Sequence, residues 1–252
     1  MTDKNNSTER PIKISVIIPA LNEEKLIGNV LKQFTEDIRN KFELEVIVSD
    51  GGSIDKTLEI SRVFADKVIE KTDKLKQNIS RGRNIGASNS LGDVLIFFNA
   101  DTRINDPDAF LSEVLCSLKD IEAGAIACPI RVFPELEKAS DKAFHTFYNG
   151  YVKILNRFFM GMGRGECHII KRRNFEEAGG YNEDLAAGED FDLYKRIHSK
   201  AGIIFNEKLL VYESPRRYRK FGYVSVIFDW IKNSVWVTLF KRSSSDKWDP
   251  VR

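Results

Sequence analysis

The sequence predicts an α/β fold with a mostly parallel central sheet and flanking helices. Strand-like and helix-like segments alternate through the first half of the chain, the pattern of strands joined by crossover helices. The run Val94-Leu95-Ile96-Phe97-Phe98 is short, continuous and apolar, as expected of a strand covered on both faces. With 252 residues, 42% of them hydrophobic, the chain can fill the core of one large domain.

Ile14 to Ile18 reads as the first strand, ended by Pro19. Asn22-Glu23-Glu24 then offers a cap and first-turn acids for a helix with Leu26, Ile27, Val30, Leu31 and Phe34 on its apolar face. Glu45 to Ser49 is the second strand, Thr57 to Ala65 the second helix, and Val68-Ile69 a short edge strand. Arg83 to Leu91 should be helical and feed the strand that ends at Asn99. Asp106-Pro107 opens another helix with Phe110, Leu111, Val114, Leu115 and Leu118 on one face.

Beyond residue 120 the pattern changes. Ala125 to Phe133 reads as a strand in which Pro129 marks an edge or a bend. Phe144, Phe147, Tyr148, Tyr151, Ile154, Leu155, Phe158 and Phe159 recur at helical spacing. Core packing is the first reading of that stripe, a membrane or acceptor surface the second. Cys167 to Ile170 forms a strand, and Asn174-Phe175-Glu176-Glu177 resembles a capping box for a short helix that Gly179-Gly180 ends. Gly161-Met-Gly-Arg-Gly165 lacks the strand-turn-helix setting of a dinucleotide site and reads as a mobile acceptor loop.

Composition excludes several classes. A formal charge of +2 with 30% charged residues does not describe a nucleic-acid binder. Cys116, Cys128 and Cys167 are too scattered for a disulfide framework and fit a reducing cytoplasm. Met1 to Arg10 is polar, and no apolar run of about 18 residues occurs, so neither a secretory signal nor a membrane span is expected.

Asp101 lies just past the carboxyl end of the apolar strand, where open α/β sheets bind ligands. By itself it reads first as a residue that starts a turn or caps the helix opened by Asp106-Pro107. Mg2+ and Mn2+ combine one or two carboxylates with substrate phosphates, so a carboxylate there also suits a metal-bound diphosphate.

Five motifs decide between these readings. Ile14-Ser-Val-Ile-Ile-Pro-Ala-Leu-Asn-Glu-Glu24, Val46-Ile-Val-Ser-Asp-Gly-Gly-Ser-Ile-Asp-Lys-Thr57, Asn99-Ala-Asp101, Phe175-Glu-Glu-Ala-Gly-Gly-Tyr181 and Gly188-Glu-Asp-Phe-Asp-Leu193 occur in this order. Together, over about residues 12 to 213, the sequence resembles the inverting family 2 glycosyltransferases, which have the Rossmann-like GT-A fold. The resemblance implies a nucleotide-binding half over 12–120 and an acceptor half over 121–213. These would be flanked by a disordered tail, 1–11, and a basic loop with an amphipathic helix, 214–252.

The resemblance also implies roles. Asp50 would accept the uracil imide N–H of a UDP-sugar, although Asp50-Gly51 also suits an Asx-turn. Pro19, Ala20, Asn22 and Glu23 would line base and ribose; for Asn22 a helix cap is the equal alternative. Arg83, more than Arg81, would counter diphosphate charge, with solvated surface arginines as the alternative. Asn99, Ala100 and Asp101 stand where the family has Asp-X-Asp. Asp101 becomes the direct ligand of Mn2+ or Mg2+, and Asn99 a weaker polar neighbour that brings no charge. Asp190 matches the family's base, with Glu189 positioning the acceptor and Asp192 structural. Without the resemblance, the same acids would simply complement a helix dipole.

Ser214-Pro-Arg-Arg-Tyr-Arg-Lys-Phe-Gly222 would form a lid whose Arg216, Arg217 and Arg219 neutralise the leaving diphosphate, or meet anionic lipid heads instead. After it, Val224, Phe228, Ile231, Val235 and Leu239 repeat at helical spacing, with Lys241-Arg242 beyond. That helix is expected to pack on the domain or on a second subunit at least as readily as on a membrane. The expected partners are a nucleotide-sugar donor and a carbohydrate or lipid-linked acceptor, in the cytoplasm or at the inner membrane face. A nucleotidyltransferase is the alternative enzyme, but Pro19-Ala-Leu-Asn-Glu23 lacks its glycine-rich signature. A silent nucleotide-sugar sensor is the third reading, motivated by Asn99.

Overall fold

The continuous apolar run Val94–Phe98 becomes the middle strand of a seven-stranded sheet. The computed structural model describes residues 13–75, 77–119, 122–240 and 242–244. The expected tail over 1–11 and Lys241 lie outside the described residues.

In chain order the elements are β1 (Ile14–Ala20), α1 (Ile27–Leu31), α2 (Glu36–Phe42), β2 (Leu44–Asp50), α3 (Thr57–Phe64), β3 (Lys67–Glu70), α4 (Ile79–Ser88), β4 (Val94–Phe98), β5 (Thr102–Ile104) and α5 (Pro107–Ser117). The second half holds β6 (Ala123–Ala127), β7 (Ile130–Val132), α6 (Ala139–Phe158), β8 (Cys167–Lys171), α7 (Arg172–Glu177), α8 (Glu189–His198), β9 (Gly202–Phe205), β10 (Val211–Glu213), α9 (Arg216–Phe221) and α10 (Tyr223–Phe240).

The large sheet has the order β3-β2-β1-β4-β8-β6-β9, parallel throughout except where β8 runs against β4 and β6. A small sheet, β5-β10-β7, stands beside it. Alternation along the central strands divides the core. Val16, Ile18, Ile96 and Phe98 pack with α1 and α5, whereas Ile17, Leu95 and Phe97 face α7 and α8 across the sheet. Helix α4 presses hard on β1: a Cβ on Gly86 would stand 2.3 Å from the Ile17 methyl, so only glycine allows that approach.

Several sequence expectations are corrected. Pro19 lies inside β1 rather than ending it; the β4 ladder stops at Ile17, leaving a one-sided position that tolerates a missing N–H. The first helix is only α1, followed by an unforeseen α2 with Thr35 as cap. Helix α4 starts four residues before Arg83, capped by Asn78, whose side chain accepts from the Arg81 N–H at 2.8 Å. The strand expected over 125–133 breaks at Cys128-Pro129 into β6 and β7, members of different sheets. Helix α7 begins at Arg172 without a side-chain cap, so Asn174 lies within it. The basic segment at Arg216 is the short helix α9, not a loop.

Both long apolar stripes are divided differently from expectation. On α6, Phe144 is buried while Phe147, Tyr151, Ile154 and Phe158 face solvent. On α10 the packing residues are Val226, Asn233 and Val237, and the anticipated Val224, Phe228, Ile231 and Val235 are exposed. No helix among the described residues is long and apolar enough to cross a membrane.

Candidate active site

Residues at the carboxyl ends of β1, β2 and β4 gather on one side of the sheet, the place where such sheets bind ligands. Asp50 ends β2 and is almost fully buried. Its Oδ2 accepts from the backbone N–H groups of Gly52 at 2.8 Å and Ser53 at 2.9 Å, so the Asx-turn is formed. Oδ1 of the same carboxylate is buried without a hydrogen-bond partner. One oxygen holds the loop, and the loop makes no use of the other.

Asn22 is not a helix cap. It adopts φ 54° and its Oδ1 accepts from the Ile54 N–H at 2.8 Å, while its own N–H donates to Ser53 Oγ at 2.8 Å. The loop after β1 is thus tied to the turn after β2. Asp55 braces the same corner by accepting from Thr57 Oγ1 at 2.5 Å.

Arg83 lies fully buried at the centre of the site. It donates to Glu189 Oε1 at 2.9 Å, to Asn99 Oδ1 at 3.1 Å and to the Gly165 carbonyl at 2.6 Å. Its guanidinium carbon stands 5.1 Å from the centre of the Tyr181 ring. One arginine therefore joins the turn after β4, the loop before β8 and the start of α8. Neither Glu189 nor the Asn99 oxygen is unengaged. Arg81, by contrast, pairs with Asp73 at 2.5 Å near the surface.

Asp190 follows Glu189 in the first turn of α8 and is half-buried. Oδ1 accepts from the Phe191 N–H at 2.8 Å. Gly165 lies beside Oδ2, and a Cβ there would meet that oxygen at 3.5 Å, in ordinary contact. Loss of water pushes the carboxyl up to about 7, with the Glu189 charge adding to the shift; the Phe191 N–H and Arg83 pull against it. A base that titrates near neutrality is suited to taking a proton.

Arg216 reaches from α9 to the opposite end of the site. It donates to both Glu23 oxygens, at 3.0 Å and 2.9 Å, and through Nε to Asp101 Oδ2 at 3.2 Å. Burial raises the Asp101 carboxyl above its ordinary value; Glu166 adds to the shift and Arg216 opposes it. The other arginines of α9 point elsewhere. Arg217 stands over the Phe221 ring at 5.5 Å, and Arg219 pairs with Asp141 of α6, at 2.6 Å to Oδ1. That partnership, with Tyr223 and the Lys138 N–H, overcomes burial and holds Asp141 at about 2.

A buried cluster seats α9. Tyr218 donates to Glu213 Oε1 at 2.7 Å, and Arg164 reaches the same oxygen at 3.1 Å. Arg164 also approaches His145 Nδ1 at 3.3 Å. Burial, with Arg164 beside it, lowers His145 to about 3, so the imidazole is neutral and its 3.7 Å approach to Glu213 is not an ion pair. Sequence reasoning missed Arg164, Glu166, Tyr181 and Glu213; a Gly-Arg-Gly-Glu run of charges among glycines was the available signal for the first two. The 161–165 loop is also no free loop. Asn156 pins Met162 through both backbone groups, and Gly163 lies under the Tyr194 ring.

A divalent ion was expected at Asn99-Ala-Asp101. Among the described residues no three His, Cys, Asp or Glu side chains are grouped to hold one. The donors therefore fit Mg2+ or Mn2+ only alongside a substrate diphosphate, with one carboxylate from Asp101 and the rest from phosphate and water.

Comparison with known proteins agrees with this geometry. Residues 15–179 match the family model described as Glycosyl transferase family 2. A probable glycosyltransferase, YdaM of Bacillus subtilis, is 30% identical over 217 residues, which is 78% of this chain and 49% of that protein. The 4,4'-diaponeurosporenoate glycosyltransferase of Staphylococcus haemolyticus is 38% identical over 111 residues, 42% of this chain and 29% of the relative. The chain thus spans about half, or less, of these relatives. Among solved structures, the mannosyltransferase PcManGT from Pyrobaculum calidifontis in complex with GDP-Man and Mn2+ has TM-score 0.65 at 23% identity, over 82% of this chain and 58% of that one. S. aureus TarS 1-349 in complex with UDP-GlcNAc has TM-score 0.60 at 17% identity, over 81% and 58%. Both likenesses are of fold, the GT-A fold.

Proposed function

From the premise that this chain belongs to glycosyl transferase family 2, we propose that it moves a sugar from a UDP-linked donor to a hydroxyl of a carbohydrate or lipid-linked acceptor, inverting the anomeric centre in a single displacement. One observation carries the reading. Buried Arg83 binds Asn99 of the donor-side turn and Glu189 beside the base, so donor and acceptor groups belong to one site.

Asp50 Oδ1, buried and without a partner, suits the imide N–H of uracil. Pro19, Ala20 and Asn22 border the same corner through the tie between Asn22 and Ile54. Asp101 would hold Mn2+ or Mg2+ together with the diphosphate, and the ion would supply charge to stabilise the leaving UDP. Arg216 is close enough to exchange its carboxylates for phosphate oxygens, adding a fixed cation on the same side.

In the transfer, Asp190 accepts the proton of the acceptor hydroxyl as its oxygen bonds to the anomeric carbon. The bond from that carbon to the diphosphate breaks, and UDP departs with the electron pair. Arg83 keeps Glu189 and the Gly165 carbonyl fixed around the base, which favours a reactive alignment.

Incubation with a panel of UDP- and GDP-sugars and Mn2+ tests this reading. UDP release dependent on an added acceptor supports it. Release of pyrophosphate from nucleoside triphosphates would move the chain to nucleotidyl transfer, and nucleotide-sugar binding without UDP release would make it a sensor.

A further inference from the structure

Helices α6 and α10 each carry an exposed apolar stripe of the same spacing. On α6 it is Phe147, Tyr151, Ile154 and Phe158, four, three and four residues apart, and Phe147 is 71% exposed. On α10 it is Val224, Phe228, Ile231 and Val235, again four, three and four apart, with Val224 82% and Phe228 68% exposed. Each lies along one face of its helix, away from the residues that pack.

The two helices meet beside these stripes. Tyr148 of α6 stands 5.1 Å from Trp230 of α10 and 5.9 Å from Tyr151, so a row of aromatic rings crosses the seam. Phe221 of α9 is exposed as well. A contiguous apolar surface bordered by polar residues marks a contact with a partner or a membrane.

Charge decides which. Among the described residues that α6, α9 and α10 expose, Lys142, Arg157, Arg219, Lys220 and Lys232 stand against one acid, Asp229. Asp141, the other acid on these helices, is buried and paired with Arg219. Arg157 lies over the Phe158 ring and Lys220 over Phe221, both at 5.3 Å, which sets ammonium or guanidinium beside an apolar ring as at a headgroup boundary. A two-fold dimer through the same face would bring like cations together. Neither helix can span a bilayer.

We propose that the α6–α10 face docks on an anionic lipid bilayer, with the aromatic row at the acyl boundary and the cations among the headgroups. The inference does not rest on sugar transfer, because docking is read without donor or acceptor. It does bear on transfer: Gly188 at the head of α8 lies against Val237 and Asn233 on the buried face of α10, so the helix whose exposed face docks packs through its other face on the helix that carries Asp190.

Sedimentation of the full chain with sucrose-loaded vesicles tests this. Binding is expected to vesicles carrying about 30% phosphatidylglycerol, to weaken with salt, and to be far lower on pure phosphatidylcholine. Phe147→Ser with Phe228→Ser should reduce binding at least about tenfold. Lys142→Glu with Lys232→Glu should reduce it about fivefold or more per cation. An unchanged melting temperature and far-UV spectrum certify that these exposed-site variants are folded. The proposal is overturned if wild type ignores anionic vesicles, if the folded serine variant binds as wild type does, or if light scattering finds a dimer that this variant dissociates.

Discussion

Arg216 lies against Asp101, its Nε donating to Oδ2 at 3.2 Å while its Nη2 holds Glu23 at 2.9 Å. The contact spans 115 residues of sequence and brings the cation of α9 to the carboxylate that a metal and a diphosphate would share. It gives the lid arginine of the sequence reading a specific partner, and it separates Arg216 from Arg219, which α6 holds.

Arg216→Gln is expected to weaken UDP binding about tenfold to a hundredfold, the worth of charge-assisted hydrogen bonds, and to leave uridine binding nearly unchanged. Calorimetry with both ligands checks it. Equal losses for the two would mean that Arg216 shapes the whole site rather than meeting phosphate.

Asp190→Asn should retain donor binding and lose transfer by about a hundredfold to ten-thousandfold, the range for a removed general base. Near-normal turnover would eliminate Asp190 from that role.

The pH profile follows from Asp190. Its folded value, about 7, lies above the ordinary carboxyl range, so the acid form dominates below pH 7 and cannot accept a proton. Transfer should rise with pH through about 7 and then level. The sign for stability is opposite: the native state holds this proton more tightly, so Asp190 costs stability as pH rises from the ordinary carboxyl range toward 7. Above pH 7, Asp190→Asn should therefore melt higher than wild type, and thermal scans across pH read this directly.

Asn99→Asp sets a carboxylate against Arg83, which already holds Glu189. Since that arginine would neutralise the added charge, Mn2+ affinity in the presence of UDP should tighten by less than about tenfold. A manganese titration followed by electron paramagnetic resonance measures it, and a larger gain would mean that residue 99 reaches the ion.

Arg83→Met leaves Glu189 buried without its cation and should destabilise the fold by about 3–5 kcal/mol. Adding Glu189→Gln should recover part of the loss in urea denaturation, because the uncompensated charge is then gone. No recovery would mean that the contacts to Asn99 and Gly165 carry the effect.

The central strands were legible because β1, β2, β4 and β8 are short segments dominated by apolar residues, uninterrupted in β4, and burial on both faces favours that composition. Short elements were not. Strands β5, β7 and β10 have three residues each, and a three-residue strand carries too little periodicity to be recognised. Helices α6 and α10 were legible as helices, but not the direction of their apolar stripes. Each offers two apolar faces, and only packing selects which turns inward.

By itself the sequence determined the α/β class and the family, and it singled out Asp50, Asp101 and Asp190 as candidate site residues, since all of these reside in local motifs whose order the chain preserves. Tertiary structure alone decided what those acids face. Arg83 meets Asn99, Gly165 and Glu189 across separations of 16, 82 and 106 residues, and Arg216 meets Glu23 across 193. Such distant partners leave no periodic trace, and the burial that, with the Glu189 charge, brings Asp190 near neutrality arises only when the sheet and α8 close around them.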